Sequence, residues 1–170
     1  PSEVVEGLWY PIWDAGLILG HALRSTDEFL SLAATDLETA TSLFSLRHLA
    51  GDEAVTMRLG AAAARQREAL APRWVRALAD RTETRRALAG DVANELEPDL
   101  KEGRGGLRDV HTLGWIQTLG VELPDEAAEL VHRAGDRLWS IRAELHRVTG
   151  RPGNRLVLQE QAAIAGRLGY

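Results

Sequence analysis

Residues 124–150 read PDEAAELVHRAGDRLWSIRAELHRVTG, and this stretch decides the fold class. Pro124-Asp125-Glu126 supplies a helix-opening proline with acidic residues for the first turn, and Gly150 supplies a stop. Between them Leu130, Ala134, Leu138, Ile141, Leu145 and Val148 recur at steps of three and four, which places them on one stripe of an α-helix. The same spacing appears upstream, where Leu107, Val110, Leu113, Ile116 and Leu119 predict a helix that stops at Gly120. Downstream, a turn over Gly150 to Asn154 leads to a last short helix from Leu156 to Leu168. Towards the N-terminus, Ser25-Thr26-Asp27 offers capping side chains for a helix to about Ala50, ended by Gly51, with Leu30, Ala33, Leu37, Ala40, Leu43, Phe44 and Leu46 on one broad face. A second stretch runs from Asp52 to about Leu96, with Gly60 and Pro72 as expected interruptions. Glu3 to Trp13 reads as a short helix. Gly16 to Arg24 is short, apolar and bounded by turn signals, and is the one segment where a strand competes. The expectation is a mainly α protein, an antiparallel helical bundle with at most one short strand.

Composition narrows the function classes. The 170 residues carry a net charge of −5 and no cysteine, so disulfides, thiolate metal sites and cysteine nucleophiles are excluded. The acidic balance argues against a broad nucleic-acid surface, and no apolar run is long enough to span a bilayer. A cytoplasmic location is expected. A chain that begins at Pro1 without a leader-like segment is expected to be a segment of a longer protein.

The stretch most suited to chemistry is Glu97 to Asp109, Glu-Pro-Asp-Leu-Lys-Glu-Gly-Arg-Gly-Gly-Leu-Arg-Asp, with three glycines set among charged side chains directly before the helix that starts near Leu107. Glycines let backbone N–H groups approach a ligand, and a helix N-terminus favours an anion. Lys101, Arg104 and Arg108 add cationic donors suited to phosphate oxygens.

Leu100 to Asp109 resembles the Leu-Lys-Glu-Gly-x-Gly-Gly-Leu-Arg-Asp segment of the bifunctional uridylyltransferase/uridylyl-removing enzymes, which modify the nitrogen-regulatory protein PII. Three further places continue the resemblance in order: Tyr10-Pro11-Ile12-Trp13-Asp14-Ala15-Gly16-Leu17 with Leu19 to Arg24, then Ala34 to Asp52, then Asn154-Arg155-Leu156 through Gln159 to Leu168-Gly169-Tyr170. Arg104 departs from the proline usual in this pattern and Asp99 from the usual asparagine.

The resemblance implies that residues 1–50 are the end of a nucleotidyltransferase domain, with Gly16 to Arg24 as an edge piece of its sheet, and that 51–170 are the helical domain after it. It implies a parent protein that uses Mg²⁺ and UTP to place UMP on a tyrosine of PII. The family's metal-holding Asp-x-Asp and its uridylyl-removing His-Asp pair do not occur in this sequence, so the chain alone is expected to be inactive, with no catalytic or metal residue of its own and no tightly bound cofactor. The candidates for nucleotide or phosphate contact are Lys101, Gly103, Gly105, Gly106 and Arg108. The competing reading leaves Lys101 solvated and pairs Arg108 with Glu102 or Asp109 to fix the turn. His21, Asp14, Asp36 and Asp109 are cleft or structural candidates, with hydrogen bonding, capping or salt bridging as the alternative for each. Beyond UTP and PII, the partners expected are the missing catalytic domain and, through the truncated apolar face, a second copy of the chain. The rival to the enzymatic reading is a non-enzymatic docking or regulatory module of a nucleotidyltransferase-like signalling protein.

Overall fold

The computed structural model describes residues 2–170, with side chains from residue 6 onward. Its elements are α1 (Ser2–Asp14), α2 (Thr26–Ala33), α3 (Leu37–Ser42) continued by a 3₁₀ turn (Leu43–Ser45), α4 (Glu53–Leu88), α5 (Leu107–Thr118), α6 (Asp125–Thr149) and α7 (Leu158–Leu168). Among the described residues there is no strand. Gly16 to Arg24, where a strand competed, is a turn residue followed by irregular chain, and the only ladder pairings among the described residues are isolated bridges of Asp91 with Arg104 and Asp99 with Arg155.

The segment expected as one helix from Ser25 to Ala50 is divided. Ser25 opens α2 with a reciprocal cap, its Oγ accepting from the Glu28 N–H while the Glu28 carboxylate accepts from the Ser25 N–H. Asp36 then restarts the chain, because its carboxylate captures the Thr39 N–H at 2.7 Å and the Thr39 hydroxyl at 2.6 Å. A short acceptor offering the backbone a local alternative is what ends α2 and caps α3.

The next segment departs from expectation in the other direction. Neither Gly60 nor Pro72 interrupts α4, which runs unbroken for 36 residues. Pro72 has no N–H, so the Glu68 carbonyl loses its helical donor, but both residues are exposed and water can reach the carbonyl. Pro72→Ala is expected to raise stability by about 1 kcal/mol, less than the ~3 kcal/mol of an unadapted helix interior, read by urea denaturation followed by far-UV circular dichroism. The helix stops at Leu88, short of the expected Leu96. Gly90 and Val92 turn away to bond the glycine-rich stretch, with Arg104 N–H donating to Gly90 O at 2.8 Å and Val92 N–H to Arg104 O at 3.0 Å.

Two apolar clusters hold the helices. The first joins Ala33, Ala40 and Leu43 to Trp74 and Leu78 of α4 and to Leu119 beyond α5, with Phe44 against Trp74 at 5.9 Å between ring centroids. This core takes residues from both sides of position 50. The second joins Leu100 and Leu107 to Leu138 and Leu145 of α6 and Ile164 of α7. In α6 the inward stripe follows the expected spacing from Leu138 to Val148. At its N-terminal end Leu130 is 60 % exposed and Ala134 is exposed, the inward positions being taken by Val131 and Gly135. Gly135 lets α5 come close, since a Cβ there would stand 3.0 Å from Val110 Cγ1. The α5 helix belongs to both clusters and connects them. No helix of the described residues is long and apolar enough to cross a membrane.

Candidate functional site

Residues 97–109 fold into a tight turn pinned on three sides. Asp99 Oδ1 accepts the N–H groups of Lys101 and Glu102, each at 2.8 Å. The Leu107 and Arg108 N–H groups at the start of α5 donate back to the Leu100 and Lys101 carbonyls, each at 2.9 Å. On its outer edge the Leu100 N–H donates to Asn154 O and the Leu156 N–H to Pro98 O, tying the turn to the segment before α7.

The glycine amides serve the turn itself. Gly103 N–H donates to Asp99 O at 3.0 Å, Gly106 N–H to Gly103 O at 2.9 Å, and Gly105 N–H to Asp109 Oδ2 at 2.8 Å. Gly105 holds φ +81°, in the left-handed region that favours glycine.

Asp109 is the hub. Its buried carboxylate accepts from Gly105 N–H, pairs with Arg85 Nη2, and meets Arg86 Nη2 at 3.1 Å, so one side chain joins the turn to the last turns of α4. Arg85 also donates through Nη1 to Glu102 O at 3.0 Å. Burial pushes the Asp109 carboxyl up, but the Gly105 N–H and the two guanidiniums outweigh it and hold the group below the usual carboxylate range.

Lys101, Gly103, Gly105, Gly106, Arg108 and Asp109 are thus gathered in one turn. Arg108 Nη2 donates to Glu102 Oε1 at 3.1 Å, and Lys101 Nζ lies 3.8 Å from the same oxygen. The other candidates stand outside it. Asp14 is exposed at the end of α1. Asp36 caps α3, and Thr39, through its hydroxyl and then its N–H, lowers the carboxyl from its ordinary value. His21 packs its ring on Trp9 and Trp13, at centroid separations of 3.9 and 5.1 Å. No three of His, Asp and Glu come together as a metal-holding group among the described residues.

Sequence reasoning missed the cleft beside the turn. An open cleft of about 520 Å³ between α3, α4 and α5 is walled by Arg81, Arg85 and Arg108, by the carboxylates Glu38 and Glu102, by the hydroxyl residues Thr41, Ser42, Ser45 and Thr112, and by Leu37, Leu78 and Trp115. His111, about one helical turn after Arg108 on α5, packs against Trp115 and Trp139; burial first, then the positive charges of Arg108 and Lys101, lower its pKa.

The sequence that forms this turn matches a known family. The model for the GlnD PII-uridylyltransferase family matches residues 73–170, which hold the C-terminal part of α4, the turn and the three helices after it. The chain belongs to this PII-uridylyltransferase family. Its relatives include the bifunctional uridylyltransferase/uridylyl-removing enzymes of Bradyrhizobium sp. (strain ORS 278), 38 % identical over 188 residues, and of Rhodospirillum rubrum, 40 % identical over 189 residues. The one from Streptomyces coelicolor is 39 % identical over 168 residues. Each comparison takes in 99 % of this chain but only 19–20 % of the relative, so the chain spans about a fifth of the length of these PII-uridylyltransferase relatives. No solved structure gives a significant match.

Proposed function

We propose that this chain is the helical part of a uridylyltransferase, with residues 1–50 the end of the nucleotidyltransferase domain and 51–170 the helical domain that completes one wall of its nucleotide cleft. The parent protein would transfer UMP from UTP to a tyrosine of PII in the cytoplasm. In that reaction the tyrosine oxygen bonds to the α-phosphorus, the bond to the bridging oxygen breaks, and pyrophosphate leaves. Mg²⁺ would be held by residues outside this chain, and the chain alone would not catalyse transfer. Lys101 and Arg108 would supply positive charge to the phosphates. The observation that carries this reading is the family membership together with the position of those two side chains on one tied-down turn at the start of α5.

A specific observation favours the second reading, a docking or regulatory scaffold: the Gly103, Gly105 and Gly106 N–H groups are all bonded within the turn. Kinetics in the full-length protein separate the two. With Lys101→Ala, whose side chain makes only the long contact to Glu102, the nucleotidyl reading expects KM for UTP to rise about tenfold, the effect of losing one charge-assisted contact. Unchanged KM and kcat would leave the scaffold reading.

A further inference from the structure

We infer that the cleft between α3, α4 and α5 is a binding site for a phosphate-bearing anion, recognised by Arg81, Arg85 and Arg108. Its volume of about 520 Å³ lies in the range of small-molecule sites. The three guanidiniums come from two helices and line one space together with the Glu38 and Glu102 carboxylates, with Trp115 and Leu78 as apolar walls.

The three arginines are prepared differently. Arg85 is nearly buried, with its side chain 14 % exposed, and is fixed by Asp109 and the Glu102 carbonyl, so it presents a preorganised edge. Arg81 on α4 and Arg108 on α5 both line the space, held by Glu38 at 2.5 Å and Glu102 at 3.1 Å. Those two pairs are substantially exposed, and exposed ion pairs open at little cost. A guanidinium has five N–H donors, and one nitrogen of Arg81 and one of Arg108 is engaged in the protein's own hydrogen bonds. Glu38 and Glu102 therefore act as internal counterions that a phosphate group can displace or join. The planar fork of arginine matches two phosphate oxygens at once. Phosphate oxygens can come from a free inorganic anion or from a nucleotide.

This inference shares Arg108 with the nucleotidyl reading and otherwise rests on Arg81 and Arg85, while Lys101 lies outside the cleft and so separates the two. It is tested by titrating the chain calorimetrically with tripolyphosphate and with UTP at fixed ionic strength, alongside Arg81→Gln and the remote control Arg133→Gln, an exposed α6 residue paired with Glu129. Saturable tripolyphosphate binding is expected, weakened about tenfold by Arg81→Gln and unchanged by Arg133→Gln and Lys101→Ala. Equal affinity for both ligands would assign recognition to the phosphates alone, and tighter UTP binding that keeps its Arg81 dependence would add a contact to the nucleoside. Absence of saturable binding at millimolar ligand, or equal losses in Arg81→Gln and Arg133→Gln, would overturn the assignment.

Discussion

Asp109→Asn is expected to lower the stability of the fold by about 3 kcal/mol at neutral pH, because breaking a buried ion pair from one side leaves the other charge without compensation. The Asp109 side chain is 6 % exposed and Arg85 14 %, so water cannot replace the lost carboxylate. For a chain of this size the loss corresponds to a fall of about 10 °C in Tm, read by calorimetry. Arg86→Gln should cost under about 1 kcal/mol, since that guanidinium is 46 % exposed and solvent screens it.

The same residue sets part of the acid response. The folded-state pKa of Asp109 lies below its ordinary value, so the unfolded chain takes up its proton first as pH falls. Its stabilisation is complete above about pH 4 and is lost as pH falls from there through the folded-state pKa. His111 is lowered as well, so its contribution is complete above about pH 6.5 and declines below that as the unfolded chain protonates first. Denaturation midpoints measured from neutral pH to pH 3 should fall in two stages, and Asp109→Asn should flatten the lower one.

Gly103→Ala carries the second large effect. A Cβ at this position would stand 2.5 Å from the Asp99 carbonyl oxygen and 2.7 Å from Val92 Cγ2. The backbone oxygen cannot yield without breaking the Gly103 to Asp99 hydrogen bond and shifting the segment that bonds Arg104. A cost of about 3 kcal/mol is expected from the overpacking and the lost bond together. Gly106→Ala should behave similarly, with three backbone oxygens within 3.0 Å of the added atom. Gly105→Ala meets open space and should cost only the ~1–2 kcal/mol of a left-handed backbone. Urea denaturation of the three variants should reproduce this order.

Much of the fold was legible because its signals are local. The three-and-four spacing of α6 from Leu138 onward, the Ser25 cap and the stops at Gly120 and Gly150 each involve residues within a turn or two of one another, whereas Gly51 stops no helix, the segment before it having ended at Ser45. The divisions of the chain that sequence missed depend on competition or on distant partners. Asp36 ended α2 by outbidding the helix for the Thr39 N–H, and Pro72 stayed inside α4 because its face is exposed. The glycine-rich turn was legible as a turn, but the hub role of Asp109 was not, since Arg85 lies 24 residues away in sequence. The cleft was hidden for the same reason: Glu38 and Arg81, which close its rim, are 43 residues apart. Lys101, Arg108 and the glycines drew attention through composition, which cannot show that the glycine amides would find partners within their own turn.

The central claim is that this helical chain contributes a nucleotide-facing wall at the turn from Lys101 to Asp109. The most direct measurement is a titration of the chain with UTP followed by amide chemical shifts, repeated with Lys101→Ala and Arg108→Ala. Saturable shifts at Gly103, Gly105, Gly106 and Asp109 that weaken in both variants are the predicted result. No saturable change at those amides with millimolar UTP, in a chain whose spectrum shows it folded, would contradict the claim and leave the turn a purely architectural element.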